Sequence, residues 1–259
     1  MGKVIAFSNQ KGGVGKTTTC VNMSAYMASL GKKVLMIDLD PQGNATTGIG
    51  INKGEVKTAI YHVLTDEVEI KDATVATEIE NLFVVPSTID LAGAEVELVY
   101  LKNREKRLCE AVQKARSEYD YITIDCPPSL GLLTINALTC ADSIIIPIQC
   151  EYYALEGLSQ LMNTIKLVKK HLNPKLDING VSLTMYDGRA IVSRQIAEEI
   201  RKFFGKKVFD TVIPRNIRVS EAPSHGVPVM IHAPNSTGAR GYLELTKEFL
   251  TKGGDTYVG

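Results

Sequence analysis

Residues 9 to 19, Asn-Gln-Lys-Gly-Gly-Val-Gly-Lys-Thr-Thr-Thr, follow the apolar run Val4-Ile5-Ala6-Phe7 after a single serine, Ser8. Three glycines, a lysine and a hydroxyl residue in that order have the composition of a phosphate cradle. Gly12, Gly13 and Gly15 let the backbone approach an anion closely and take positive φ where the turn needs it. The exposed N–H groups from Gly12 through Val14 to Thr18 converge with the positive end of the following helix on one anion. Lys16 is expected to pair with the β- and γ-phosphates of a nucleotide, and the Thr17 hydroxyl to ligate magnesium. Two residues depart from the usual loop. Gln10 occupies the slot where the G-x-x-x-x-G-K-[ST] pattern begins with glycine, and Lys11 adds an ammonium that the pattern does not ask for.

A phosphate loop needs carboxylates on the metal side. The apolar run from Val34 ends in Asp38-Leu39-Asp40, and the run from Tyr121 ends in Asp125-Cys126-Pro127-Pro128. Asp125 is the natural metal-side carboxylate, acting through magnesium-bound water. An aspartate at a strand end is otherwise a common turn former. Its conjunction with the glycine-rich loop carries the reading.

These residues meet only if the elements carrying them end at one place. Short apolar runs predict strands at Val4–Ser8, Lys33–Asp38, Leu82–Pro86, Tyr121–Asp125, Ser143–Pro147, Ile178–Met185 and Val208–Ile213. Several are apolar at consecutive positions, as expected of strands covered on both faces. Between them lie helical patterns such as Thr18–Leu30, with Val21, Ala25 and Ala28 on one face and Gly31 as its stop, and Leu155–His171. Lys53–Thr77 is less regular and reads as helical decoration. The alternation predicts an α/β fold: a doubly wound, mostly parallel sheet of about seven or eight strands with helices on both faces, in a single domain spanning 1–259. In such sheets ligands bind beyond the carboxyl ends of the strands, which is where all three acidic or glycine-rich segments fall.

Composition limits the partners. The 259 residues are 44% hydrophobic and 22% charged, with zero formal net charge. No global pull toward nucleic acid or membrane follows, so any such contact is local. Five cysteines, odd in number and without a Cys-x-x-Cys pair, favour a reducing compartment over a disulfide framework. No secretory signal and no membrane-length apolar stretch is visible, which points to the cytoplasm. Gly2 follows Met1, but Ala6 stands where a myristoylation motif wants Ser or Thr, so lipidation is not expected.

Lys11-Gly12-Gly13-Val14-Gly15-Lys16-Thr17-Thr18 resembles the deviant Walker A motif of the ParA/MinD superfamily of P-loop ATPases. The resemblance covers nearly the whole chain. The segments DLDPQGNAT (38–46), IDCPPSLG (124–131), VIPRN (212–216) and SEAPSHG (220–226) are similar to the Soj/ParA chromosome-partitioning proteins. The resemblance implies ATP and Mg2+ as ligands, and a homodimer in the ATP-bound state in which Lys11 reaches the phosphates of the other subunit. Gly12 would then sit where the two loops meet. It implies that Asp40 orients and polarises the attacking water, that Asp38 supports the magnesium shell, and that Met185, Pro214 and Asn216 surround the adenine. Asn216 would equally serve to cap a turn.

The resemblance further implies nonspecific binding of double-stranded DNA by the ATP dimer, hence nucleoid association, with Arg189 and Arg218 matching positions involved. A ParB-type centromere-binding protein would accelerate slow hydrolysis, and in some relatives the replication initiator is a second target. Residues 189–218 carry eight basic residues against three acidic ones, a local excess of +5. A pair of such patches could neutralise several phosphates, although a merely solvated basic helix face reads the same way. Three alternatives stay open. A MinD-like membrane-cycling ATPase would need a basic amphipathic C-terminal helix, whereas Thr251–Gly259 is glycine-rich. An iron–sulfur electron-transfer ATPase would need paired cysteines, for which Cys126 and Cys150 are the candidates. A metabolic kinase or ligase would need an acceptor pocket that no motif marks. His62, His171, His225 and His232 are far apart in sequence and suggest neither a metal site nor a catalytic base; His225 reads as a helix-terminus residue.

Overall fold

The computed structural model describes residues 1–151 and 157–253. Eight strands form one sheet: β1 (Lys3–Phe7), β2 (Val34–Asp38), β3 (Val75–Ala76), β4 (Leu82–Val85), β5 (Tyr121–Asp125), β6 (Ser143–Gln149), β7 (Asp177–Tyr186) and β8 (Val208–Pro214). Their order is β3-β4-β2-β5-β1-β6-β7-β8. Every neighbouring pair is parallel except β3 with β4. The helices are α1 (Lys16–Ser29), α2 (Asn44–Gly48), α3 (Ile60–Leu64), α4 (Leu91–Glu97), α5 (Arg107–Ala115), α6 (Leu132–Cys140), α7 (Leu158–His171), α8 (Ile191–Phe204), α9 (Ile217–Glu221), α10 (Val229–His232) and α11 (Thr237–Lys252).

The doubly wound, mostly parallel sheet expected from the sequence is present, and each of the seven expected strands lies within two residues of its observed bounds. The eighth, β3, is an exposed two-residue antiparallel edge within the segment read as helical decoration. Two residues are too few to carry a period-2 signal. The first two residues of the expected Leu155–His171 helix lie outside the described residues.

Successive strand residues feed two cores. Val4 and Ala6 of β1 join a cluster with α3 to α8, whereas Ile5 and Phe7 join one with α1, α10 and α11. Alternation with apolar residues on both faces is why these strands read as continuous hydrophobic runs. α1 is wedged between the sheet and α11, so it buries far more than the expected stripe. Its buried polar groups are therefore paired: Ser24 Oγ lies 2.8 Å from Thr123 Oγ1, and Asn22 Oδ1 accepts the Val229 N–H at 2.8 Å. Gly31, at φ +83°, follows the helix end as expected of a left-handed stop.

α11 spends its apolar side, Ala239, Tyr242, Leu245, Phe249 and Leu250, on the core. It therefore does not present that side to a membrane. No helix of the described residues is long and apolar enough to cross one. The glycine-rich tail from Gly254 onward lies outside the described residues.

Candidate nucleotide-binding site

β1 is flanked by β5 and β6, so the loop after Phe7 opens at the point where the sheet's winding reverses. Two neighbouring strands hold that loop. Asn9 Nδ2 donates to Pro147 O at 2.7 Å, and Thr184 Oγ1 donates to Val14 O at 2.8 Å. Gly13 and Gly15 take φ of +73° and +86°, a region that costs a side chain and suits glycine. Gln10 is not among the residues with positive φ, so the first glycine of the usual pattern is not needed here. Its amide instead reaches Gln160 on α7.

The two lysines differ. Lys16 is 7% exposed and its Nζ donates to Lys11 O at 3.0 Å, folding back over the loop. Burial pulls its pKa below the ordinary lysine value, against the opposing pull of the Asp125 and Asp40 charges. Lys11 is half-buried, and its ammonium makes no hydrogen bond or ion pair among the described residues. At Gly12 an added Cβ would meet nothing within 4 Å among the described residues.

The acids sit in register. Asp38 on β2 is the ladder partner of Asp125 on β5, which is itself opposite Phe7 of β1. Both are fully buried. Neither oxygen of Asp125 has a hydrogen-bond partner within 3.5 Å among the described residues. Burial, then the charge of Asp38, pushes Asp125 well above the usual carboxylate range, while the Thr17 hydroxyl that faces it draws its pKa down. A buried, unpaired carboxylate is costly and calls for a cation. Among the described residues no three His, Cys, Asp or Glu side chains cluster to hold a metal alone. Two strand-end carboxylates beside a threonine hydroxyl suit magnesium, which takes one or two carboxylates and completes its shell with water and substrate phosphates. Asp125, Asp38 and Thr17 fit that role.

Asp38 is pushed up to about 6, chiefly by burial, against hydrogen bonds from Thr46 and the Asp40 N–H. Because its folded value exceeds the usual 3.8, the folded chain holds this proton more tightly than the unfolded one. The associated stability is complete below about pH 4 and lost as pH rises through about 6. In EDTA, Asp38→Asn should therefore gain melting temperature on the wild type as pH goes from 4.5 to 7. A difference that stays flat over that range would show that Asp38 does not titrate there.

Asp40 is 7% exposed. Its Oδ1 accepts the Gln42 N–H at 2.9 Å and its own N–H donates to Asp38 Oδ1 at 3.1 Å. The residues that sequence reasoning missed are Asn9, Thr46 and Thr184. Each is a single polar residue whose role depends on a partner elsewhere in the chain.

The three residues assigned to adenine lie at the ends of β7 and β8. Met185, at φ +51°, is a non-glycine residue in the left-handed region; the others with positive φ among the described residues are Asp66, Asn81 and Asn103, turn residues for which that region is common. A methionine held there is local strain of the kind concentrated at binding sites. Pro214 ends β8 opposite Tyr186. Asn216 caps α9, its Oδ1 accepting the Arg218 N–H at 2.9 Å, and donates to Thr237 Oγ1 at 2.8 Å. A cleft of about 560 Å³ beside the loop is lined instead by Thr17, Thr18, Asn44, Thr47, Lys53 and Pro223, among others, and includes none of the three.

The basic segment is more neutral than its sequence count. Arg189 pairs with Asp187 at 3.1 Å, Lys207 with Asp177 at 2.8 Å, Arg215 with Glu151 at 2.8 Å and Arg218 with Glu221 at 2.9 Å. Arg189 and Arg218 are nevertheless exposed and follow the carboxyl ends of adjacent strands. The histidines are not all apart: the His225 and His232 rings stack with centroids 4.6 Å from each other, and His225 ends a short 3-10 turn. Cys126 and Cys150 are both buried free thiols.

A family model described as an AAA domain matches residues 2–178. The chain is 59% identical over 253 residues to the sporulation initiation inhibitor protein Soj of Bacillus subtilis strain 168, covering 98% of this chain and 100% of that one. It is 52% identical over 252 residues to the chromosome partitioning protein ParA of Myxococcus xanthus, covering 97% and 89%. Among solved structures it is similar to a cobyrinic acid a,c-diamide synthase from Mycobacterium smegmatis with bound ATP analog and magnesium, at TM-score 0.84, 37% identity, and 95% and 93% coverage.

Proposed function

The chain belongs to the Soj/ParA family of chromosome-partitioning ATPases, and from that premise we propose that it is an ATP-controlled dimerising switch that grips DNA when dimeric and releases it after hydrolysis. The whole chain acts as one P-loop domain. ATP and Mg2+ are its ligands: Gly12 to Thr18 wrap the phosphates, Lys16 neutralises them in cis, and Thr17, Asp38 and Asp125 serve the metal. When bound, magnesium draws charge from the β- and γ-phosphates. Asp40 orients and polarises the attacking water.

The observation that carries the reading is the division of labour between the lysines. Lys16 completes the loop within its own chain, whereas the Lys11 ammonium has no partner among the described residues, its contacts there being backbone ones. Two nucleotides facing each other across a dimer would repel, and Lys11 of each protomer, reaching the other's phosphates, offsets that charge. Met185, Pro214 and Asn216 serve the adenine. The higher identity to partitioning proteins than to the diamide synthase ranks a metabolic ligase second.

The dimer binds double-stranded DNA without sequence preference, using Arg189 and Arg218. Each must trade a carboxylate neighbour for a phosphate, an exchange between exposed charges that costs little. A ParB-type centromere-binding protein stimulates hydrolysis, the replication initiator is a second target, and the nucleoid of the cytoplasm is the site of action. The test is a gel shift on unrelated DNA with ADP, ATP and a non-hydrolysable analogue. Retention should require a triphosphate, and Arg189→Ala/Arg218→Ala should weaken it at least about tenfold and flatten its salt dependence. Equal retention with ADP sinks the switch; undiminished binding by the double variant moves the DNA surface elsewhere.

A further inference from the structure

α2 lies beside the acidic strand ends, and its Thr46 touches Asp38 twice. The Thr46 N–H and its Oγ1 both donate to Asp38 Oδ2, each at 2.7 Å. The same hydroxyl accepts the Ser87 N–H at 2.9 Å, just beyond β4. Thr46, Asp38 and Ser87 are all fully buried, so no solvent can replace these bonds. A hydroxyl has one proton to give. With the Ser87 N–H as its donor on one side, that proton is committed to Asp38 on the other. Oδ2 is thereby fixed as a double acceptor. Among the described residues Oδ1 receives a single hydrogen bond, from the Asp40 N–H at 3.1 Å, and so keeps the more lone-pair capacity unspent.

We propose that Thr46 is a positioning residue for the magnesium site, clamping Asp38 Oδ2 between the two strands so that Oδ1 is the oxygen offered to the metal's shell. The proposal rests on the magnesium-nucleotide reading of the site. Groups that orient a metal's carboxylate from behind typically change metal affinity by about 10- to 100-fold when removed. The same hydroxyl also ties the metal-side carboxylate to the backbone leading into α4, since one atom serves both Asp38 and Ser87.

The experiment titrates Mg2+ into the full chain with a fluorescent ATP analogue and reads binding rather than turnover. Thr46→Val, nearly isosteric but without the hydroxyl, should raise the Mg2+ midpoint at least about tenfold. Thr46→Ser should stay within about threefold, and all variants should bind the analogue equally in EDTA. Should Thr46→Val lose its cooperative melt, Thr46→Cys, compact and a weak donor, takes its place against Thr46→Ser. A wild-type midpoint in the hydroxyl-less variant, or a serine variant shifted as far as it, overturns the proposal, the latter because packing of the methyl would then be the cause. If the wild type itself binds the analogue with no dependence on Mg2+, it is the magnesium reading that fails.

Discussion

Replacing Lys11 by alanine should leave ATP binding to the single chain within about threefold of wild type and abolish ATP-driven pairing. The binding half follows from the proposed assignment of Lys16 as the lysine that meets the chain's own phosphates, and from the Lys11 contacts that shape the loop being backbone ones, through its O and N. The pairing half follows from charge. An ammonium about 4 Å from a phosphate in an effective dielectric of about 20 gains about 4 kcal/mol of gross Coulomb energy. Twofold symmetry supplies the contact twice. Losing even one such term corresponds to a drop of about a thousandfold in the association constant. Gly12→Val provides the steric counterpart. Among the described residues an added Cβ there meets nothing within 4 Å, so the variant should fold, bind ATP and stay monomeric because the side chain would strike a second protomer. Sedimentation with ATP and magnesium reads both. A Lys11→Ala chain that still pairs when the γ-phosphate is present would reduce the molecule to an ordinary nucleotidase.

What could be read from the sequence was what is local. The phosphate loop is one uninterrupted stretch after an apolar strand, and Asp38 and Asp125 each terminate an apolar run, so their meeting follows from strand order alone. Residues whose roles depend on distant partners left no such trace. Thr184 holds Val14 across 170 positions and Asn9 holds Pro147 across 138. Thr46 is only eight residues from Asp38, yet nothing in a lone threonine on a short helix signals that its hydroxyl turns back to a carboxylate. The left-handed backbone of Met185 is equally silent, because methionine is not a residue that marks such a turn. The basic segment shows the opposite error. Counting charges along 189–218 cannot see that Asp177, Asp187, Glu151 and Glu221 come from outside it or beside it to meet its arginines and lysines.

Removing the Asp40 carboxylate should cut phosphate release at least about a hundredfold, the ordinary contribution of a positioned general base, while leaving the ATP-bound dimer to accumulate. Asp40 has the contacts that such a role would use. Its Oδ1 is fixed by the Gln42 N–H, and its backbone N–H is tied to Asp38, so the group moves with the metal-side carboxylate. Its other oxygen makes no hydrogen bond among the described residues and is available to a water. Binding of the nucleotide should not need Asp40 if, as proposed, the loop and Lys16 meet the phosphates. Hydrolysis and assembly should therefore separate: the variant is expected to close on ATP and not to hydrolyse it. Asp40→Ala also strands the Gln42 N–H, at a cost of about 1 kcal/mol, which a folded chain of this size tolerates. Asp40→Asn keeps an acceptor for that N–H and loses only the basicity, so it should fold like wild type and hydrolyse as poorly as the alanine variant. Single-turnover phosphate release measured beside sedimentation distinguishes the cases. Release at the wild-type rate in both variants would take Asp40 out of the chemistry, and the water would then have to be oriented by a group other than this carboxylate.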